Sequence, residues 1–204
     1  MRYNIYALGI MAAVVSFLGF VVENVWLAFT KGYIDNRNMN APFLVGYGML
    51  ILVMYFILGT PGELLILKKL KRDIPKWAAL IIYFVLSFFV VCIAEIALGV
   101  IFEKVSGIQY WNYSMLPLHF TQYTSVPTSM GFALLITIFM GAIFNPLMGL
   151  IMKMNPRIMK WVSITLVVIM MGDLIVNFYQ MITSRAFVRK WRIYVKKKKA
   201  VEKI

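Results

Sequence analysis

Long apolar stretches separated by short basic connections form the pattern along this chain. Lys and Arg leave five base-free intervals, which run over residues 3–30, 38–67, 77–103, 105–152 and 161–184. A helix needs roughly 20 mostly apolar residues to cross a bilayer. The pattern therefore predicts helices with cores at 5–29, 43–66, 77–102, 131–152 and 159–182.

The fourth interval is 48 residues long, which is too long for one helix. Its first part, residues 107–129, is polar and aromatic, and Pro117 and Pro127 break any regular helix there. This part is either a loop lying on the bundle or a broken segment that enters or crosses the membrane. The predicted fold is an all-α, polytopic transmembrane helix bundle of five clear helices plus this broken or re-entrant segment.

Composition excludes a soluble protein. Of the residues, 62% are apolar and 14% are charged, against about 45–50% and about 25% in ordinary globular chains. The net charge of +13 indicates an anionic membrane leaflet as the partner, and not nucleic acid, because the bases lie in the connections and the tail. The single cysteine, Cys92, lies in an apolar run and is expected to serve packing.

The distribution of bases bears on the number of crossings, because Lys and Arg concentrate on the cytoplasmic side. Five crossings put nine bases on the side of the N-terminus and twelve on the other side. If residues 107–129 also cross, the counts become fifteen and six. This second arrangement is favoured, and it predicts a multi-pass protein of the cell membrane, on the pattern of a bacterial inner membrane, with both termini cytoplasmic.

The chain is predicted to divide into a single transmembrane helical domain, 1–184, and a basic amphipathic tail, 185–204. In the tail, Phe187, Trp191 and Tyr194 stand at near-helical spacing among nine bases. This pattern suits a helix on an anionic lipid surface. A solvated tail without a partner is the alternative.

Carboxylates lie deep in the predicted helices, in segments without a base. Glu23, Glu95 and Asp173 are central, whereas Glu63 and Glu103 lie near segment ends. Such a group must stay protonated, bind a cation or ligand, meet water, or be reached by an interfacial base. Each acid could instead be a neutral hydrogen-bonding contact between helices.

Familiar catalytic patterns are absent from the sequence. It contains no phosphate-binding loop, no HExxH pair, and one histidine, His119. We therefore expect no metal and no cofactor, and the pattern favours a role other than enzyme.

Several strings in the first two thirds of the chain resemble a known family. Ser16-Phe17-Leu18-Gly19 with Glu23, Asn36-Arg37 before Asn40-Ala41-Pro42-Phe43, and Gly46-Tyr47-Gly48 resemble the opening pattern of the putative ABC-transporter type IV (CmpB-type permease) family. Glu95, Gly99, Glu103 and Trp111-Asn112-Tyr113-Ser114 with Pro117 resemble its central pattern. Asn112 stands where the family usually has Asp, and His119 where Asn is common. The resemblance implies a small permease component that would need a separate ATPase or another membrane subunit.

The leading hypothesis is therefore a transporter permease component with an acid-lined polar site inside the membrane. Arg37 is expected to pair with an acid at the rim. The predicted binding residues are Glu23, Arg37, Glu95, Glu103, Trp111, Asn112, Tyr113, Ser114, His119, Asp173 and Asn177. Two alternatives are a membrane-embedded enzyme acting on a lipid or lipid-linked substrate, and a scaffold or assembly subunit.

Overall fold

A computed structural model describes residues 3–66 and 74–195. Within these ranges the chain forms five helices, and the all-α bundle predicted from the sequence is confirmed. The helices are α1 Ile5–Lys31, α2 Val45–Ile57, α3 Lys76–Ser106, α4 Val126–Ile151 and α5 Pro156–Ser184. In the described ranges, all of these except α2 are long and apolar enough to cross a membrane.

Local sequence signals set the helix ends. The side chain of Asn4 accepts a hydrogen bond from the N–H of Tyr6 at the start of α1, and Gly32 ends that helix with φ 73°. Asn155 caps α5 in the same way, and Pro156 occupies the first turn, where its missing N–H costs nothing.

The helices give the bundle two ends. At its N-terminal end, the Tyr3 hydroxyl donates to Asn145 near the end of α4 (3.0 Å), and the Tyr83 hydroxyl of α3 donates to the Gly59 carbonyl after α2 (3.2 Å). At its C-terminal end, Phe102 of α3 packs edge-on against Phe178 of α5. Consequently α1, α3 and α5 run from the N-terminal to the C-terminal end, and α2 and α4 run back.

Helix α2 is shorter than the helix predicted at 43–66. It ends at Ile57 because Gly59, with φ 77°, turns the chain into a hairpin of β2 (Gly59–Thr60) and β3 (Glu63–Leu64). Thirteen residues span about 20 Å at 1.5 Å per residue, less than the roughly 30 Å of a hydrocarbon core.

Residues 36–44 account for the missing length of α2. The N–H of Leu44 donates to the Ser16 carbonyl in the middle of α1 (2.9 Å), so the chain reaches that depth before α2 begins. Non-helical backbone is tolerated at such depth only where protein surrounds it. The re-entrant segment of this chain is therefore 36–44, a position the sequence did not indicate.

Residues 107–125 do not cross the bundle, so the structure agrees with the loop and not with the sixth crossing that the charge count favoured. They form a cap at the C-terminal end, with a hairpin of β4 (His119–Thr121) and β5 (Thr124–Ser125). The cap satisfies its own backbone, for example through Tyr113 N–H to the Gln122 carbonyl (2.8 Å). Because Ser125 caps the next helix and Pro127 fits its first turn, α4 begins at Val126, earlier than predicted.

Helix α4 contains a π-helical turn, Phe139–Ile143, and continues through Asn145-Pro146 to Ile151. A proline inside an α-helix clashes with the carbonyl four residues before it. Here that carbonyl belongs to Ala142, within the π-turn, whose wider winding accommodates the ring. The helix therefore continues past Asn145-Pro146 without a break.

Packing divides the bundle into two units. The first unit is α1 with α2 and α5, and the second is α3 with α4, whose later half also contacts α1. Met11, Met54, Tyr83 and Phe144 are fully buried where the units meet. Close approach depends on small residues, as expected where lipid removes the hydrophobic force between helices; Gly48 of α2, for instance, lies directly against the backbone of Ala12.

The described part of the tail, residues 185–195, is not helical. Strand β6 (Arg192–Tyr194) pairs antiparallel with β1 (Tyr33–Asp35), which follows α1. The prediction of a surface helix is wrong for these residues. The backbone of the tail pairs with the edge of β1, and the Arg192 guanidinium lies 3.9 Å from the Tyr33 ring centroid. Residues 196–204, with the lysine run, lie outside the described residues.

Candidate polar binding site

Glu23, on the last third of α1, is reached by an interfacial base. Nη2 of Arg37 lies 2.6 Å from its Oε2, and the Tyr47 hydroxyl of α2 donates to its Oε1 over 2.7 Å. The Glu23 and Arg37 side chains are 27% and 25% exposed. Both oxygens of this carboxylate therefore have a partner, and Arg37 pairs with an acid as the sequence predicted.

The backbone around Arg37 is held in an uncommon conformation that turns its side chain into the bundle. Arg37 and Asn38 have φ of 49° and 63°, in the left-handed region that non-glycine residues rarely adopt. Neighbours fix this turn: Asn24 accepts from Asp35 N–H (2.8 Å), and Asp35 accepts from Arg37 N–H (3.0 Å). The Nε of Arg37 is buried and has no hydrogen-bond partner in the described residues.

Glu95, on α3, is surrounded by hydroxyl groups. Thr124 and Ser129 donate to its Oε2 over 2.6 and 2.9 Å, and both residues are fully buried. The phenol of Tyr113 lies close enough to this carboxyl group for an electrostatic interaction. Among the described residues Glu95 has no ion pair, so its environment differs from that of Glu23.

Tyr113, in the cap, lies near both acids. Burial raises the pKa of its phenol, and the negative charges of Glu95 and Glu23 raise that pKa further. The hydroxyl therefore keeps its proton at neutral pH and acts as a donor. The pKa of Tyr113 is thus raised by one carboxylate from each packing unit, Glu23 from the first and Glu95 from the second.

Glu103 lies two helical turns beyond Glu95 and anchors the cap. Its Oε2 accepts from the Tyr123 hydroxyl (2.5 Å), from Gln122 (3.3 Å) and from Gln109 (3.5 Å). The hydrogen bond to Glu103 raises the pKa of Tyr123. Gly99 leaves room for the Tyr123 ring, since a Cβ there would lie 2.4 Å from Cδ1.

The other predicted cap residues have local partners. Trp111 Nε1 donates to the Tyr123 carbonyl (2.8 Å), which supports the loop beside Glu103. Asn112 accepts from Ser114 N–H (2.8 Å) and donates to Gln109 (2.6 Å), so it closes a turn. His119 is exposed, with Nδ1 3.0 Å from the Leu116 carbonyl. None of these hydrogen bonds goes to Glu23 or Glu95.

Asp173, on α5, is placed apart from these acids and holds the re-entrant segment. Its carboxylate accepts from the N–H groups of Asn40 (3.1 Å) and Ala41 (3.0 Å) and from the side chain of Asn40 (2.7 Å). Buried Asn177, one turn later, donates to Asp173 over 2.7 Å. Asp173 therefore binds the backbone of the re-entrant segment, and Asn177 binds Asp173.

The structure thus brings together Glu23, Arg37, Glu95 and Tyr113, which we call the polar site. The sequence reasoning did not assign Tyr47, Thr124 or Ser129 to it. The only signal for Thr124 and Ser129 was their place in the polar stretch 107–129. Tyr47 stands between two glycines, a pattern that indicates close packing more readily than hydrogen bonding to an acid.

The described residues contain no group of three His, Cys, Asp or Glu side chains placed to hold a metal ion. The acids of the polar site are instead partnered by Arg37 and by the hydroxyl groups of Tyr47, Thr124 and Ser129.

Comparison with protein families shows what this arrangement is similar to. The model of the putative ABC-transporter type IV family matches residues 10–178 of the 204. The chain belongs to this family. The match confirms the resemblance seen in the sequence, and it extends through α5 to include all of the polar site. Comparison with curated proteins gives no match, and comparison with solved structures gives none.

Membership of the putative ABC-transporter type IV family agrees with the apolar helices. Both observations indicate a multi-pass membrane protein of the ABC-transporter type. Such proteins work with further membrane or ATPase subunits, and the family description carries that expectation to this chain.

Proposed function

We propose that this protein is the membrane-spanning component of a transporter and that its polar ligand binds at the polar site. The observation that supports this most is that Tyr113 lies within electrostatic reach of both Glu23 and Glu95. These acids belong to different packing units, so a ligand that displaced the Tyr113 hydroxyl would contact both units at once. A relative movement of two units around a fixed site is the usual basis of alternating access.

Charge indicates the kind of ligand. Glu23 is already neutralised by Arg37, whereas Glu95 has only neutral donors among the described residues. An added positive charge or strong hydrogen-bond donor would therefore be stabilised most at Glu95. We expect a ligand with at least one such group.

Orientation follows from the bases in the short connections. In the sequence, Arg2, five bases between residues 68 and 76, and three between 153 and 160 precede α1 or lie at the connections of α2 with α3 and of α4 with α5; Lys31, Arg37 and Lys104 lie at the connections of α1 with α2 and of α3 with α4. Because short connections dominate the charge rule, the N-terminus is cytoplasmic in this proposal. The C-terminal end, with the cap and the tail, then faces the opposite side.

A separate ATPase would bind the cytoplasmic, N-terminal end, since the sequence has no phosphate-binding loop of its own. The basic connections at that end supply the charge for an acidic partner surface. The polar site lies nearer the other end, so the ATPase would act on it through the helices.

The two alternatives receive less support from the contacts. A general base has to be free to take a proton from substrate, whereas three donors already converge on one oxygen of Glu103 and two on one oxygen of Glu95. A scaffold tail would present its side chains to a partner, whereas residues 188–194 contact β1 and the residues that follow it.

The proposal is tested by ligand-dependent stabilisation of the purified protein. Amino acids, polyamines, nucleosides and monosaccharides are compared for their effect on the Tm, with the reactivity of buried Cys92 as the unfolding signal. A ligand of the polar site should raise the Tm of the wild type, and Glu95→Gln and Tyr113→Phe should abolish that rise.

Glu63→Gln is the matched control, because it removes a carboxylate at the opposite end of the bundle and should leave the shift intact. A stabilising solute whose effect survives in both Glu95→Gln and Tyr113→Phe would show that it binds elsewhere. A complete lack of stabilisation by any solute with a positive group would count against the ligand class.

A further inference from the structure

A groove between α3 and α5 opens on the outer surface of the bundle near its C-terminal end. Its volume is about 450 Å³, and its lining is wholly apolar, including Ile101, Phe102, Leu174, Ile175, Phe178 and Ile182. Several of these side chains are strongly exposed, Ile101 at 54% and Ile175 at 62%. The groove lies where the two packing units diverge and is separate from the polar site.

A second, partly polar cavity of about 420 Å³ lies at the end of α5 and is lined by Gln180, Thr183, Ser184 and Phe187. It shares only Tyr179 with the apolar groove, and its other lining residues on α5 face away from those of the groove. Volumes of this size fall within the roughly 300–1,000 Å³ of ordinary ligand sites. The apolar groove itself extends along α5 to Ile182, in the last turn of that helix.

Two bases stand near the C-terminal end of the apolar groove. Arg185 follows the lining residue Ile182 by three residues, on about the same side of the helix. The Arg189 guanidinium lies 5.4 Å from the ring centroid of Phe187, whose ring packs against Tyr110 beside the lining residue Phe102. Both arginines are exposed, and neither forms an ion pair among the described residues. Glu103, the nearest acid on the facing end of α3, is occupied by Tyr123.

We propose that the apolar groove binds one anionic glycerophospholipid, with an acyl chain in the groove and the phosphate at Arg185 and Arg189. An apolar helix would match the groove but would leave the two guanidinium groups without an opposite charge, and a zwitterionic lipid would bring the cation of its headgroup close to them. An anionic headgroup satisfies them, and arginine binds phosphate through paired N–H donors. Each base near an anionic headgroup should contribute about fivefold in affinity.

Native mass spectrometry tests the proposal on the purified full chain with equal amounts of phosphatidylglycerol and phosphatidylcholine. One phosphatidylglycerol should be retained in preference to phosphatidylcholine. Arg185→Gln and Arg189→Gln should each lower that preference about fivefold. Arg157→Gln, at the opposite end, is the control and should leave it unchanged.

A second variant separates the groove from the charge. Ile175→Trp fills the apolar groove and should abolish retention of phosphatidylglycerol while both arginines remain. Ile169→Trp places the same ring on α5 outside the groove and should have no effect. Equal retention of the two lipids, or full retention of phosphatidylglycerol by Ile175→Trp, would overturn the proposal.

Discussion

The carboxylate of Asp173 accepts the backbone N–H groups of Asn40 and Ala41, which precede it by more than 130 residues. These two donors belong to the non-helical segment that enters the bundle to the middle of α1. Without a carboxylate at this point the segment would have unpaired backbone groups at membrane depth, which is costly. Asp173 is therefore a structural acid that makes the re-entrant segment possible.

Replacing Asp173 by Ala should destabilise the protein by about 2–4 kcal/mol, because hydrogen bonds to a charged group contribute about 1.5–3 kcal/mol each and do not add fully. Asp173→Asn retains one acceptor oxygen and should cost less. Thermal unfolding followed through Cys92 reactivity measures both variants. Equal stability of Asp173→Ala and wild type would show that residues 36–44 do not depend on this carboxylate.

Asn36 ties the tail to the same region. Its side chain donates to the Met39 and Val188 carbonyls (2.9 Å each) and accepts from Lys190 N–H (3.2 Å), and it is 1% exposed. Asn36→Ala should therefore release the tail and cost about 2–3 kcal/mol, since buried backbone groups lose their partners.

Limited trypsin digestion gives a direct reading of that release. Cleavage after Arg189 and Lys190 should become faster in Asn36→Ala than in wild type, with α1–α5 intact. Arg192→Gln is the control for charge: it removes the 3.7 Å contact with Asp35 and the contact with the Tyr33 ring but leaves the backbone pairing of β6 with β1, so it should accelerate cleavage less. Unchanged cleavage in Asn36→Ala would contradict the docking of β6 on β1.

Much of the helical arrangement was accessible from the positions of Lys and Arg, since the intervals between them correspond to α1, α3, α4 and α5. The re-entrant segment could not be predicted from these positions, for a physical reason. Arg37 marked the boundary of an interval, whereas in the fold its charge is compensated by Glu23 and it lies against the bundle. A base paired with an acid does not have to remain in water. Lys and Arg therefore do not mark the boundaries of membrane segments where they form ion pairs.

The sequence did not indicate the length of α2, for a different reason. Leu58 and Leu64 continue the apolar composition past its end, and both are buried although they lie around a hairpin. Hydropathy does not distinguish helix from buried strand over so short a run. Likewise, Glu23 and Glu95 both come near Tyr113 through tertiary contacts, which no local sequence pattern indicates.

Two glycines of α2 allow a matched test of close helix packing. A Cβ on Gly48 would lie 2.3 Å from the Ala12 carbonyl oxygen, a backbone atom that cannot move aside, whereas nothing lies within 4 Å of a Cβ on Gly46. Gly48→Ala should therefore separate α2 from α1 and cost several kcal/mol, about the loss expected for strong overpacking.

Gly46→Ala should be neutral or raise stability by up to about 1 kcal/mol, because alanine has the higher helix propensity. Thermal unfolding of both variants under one condition makes the comparison. If Gly48→Ala were as stable as Gly46→Ala, the contact between α1 and α2 would have to be looser than described.

The number of crossings is tested by single cysteines in a Cys92→Ser background. Residues 157 and 189 are both exposed, at the N-terminal and C-terminal ends of the bundle respectively. An odd number of crossings separates them, so a membrane-impermeant thiol reagent on intact cells should label only one. With the N-terminus cytoplasmic, the cysteine at 189 should be labelled and the one at 157 protected until the cells are opened. Labelling of 157 alone would retain the fold but reverse the orientation, whereas labelling of both or neither in intact cells would mean that the two ends share a side and that the cap crosses the membrane after all.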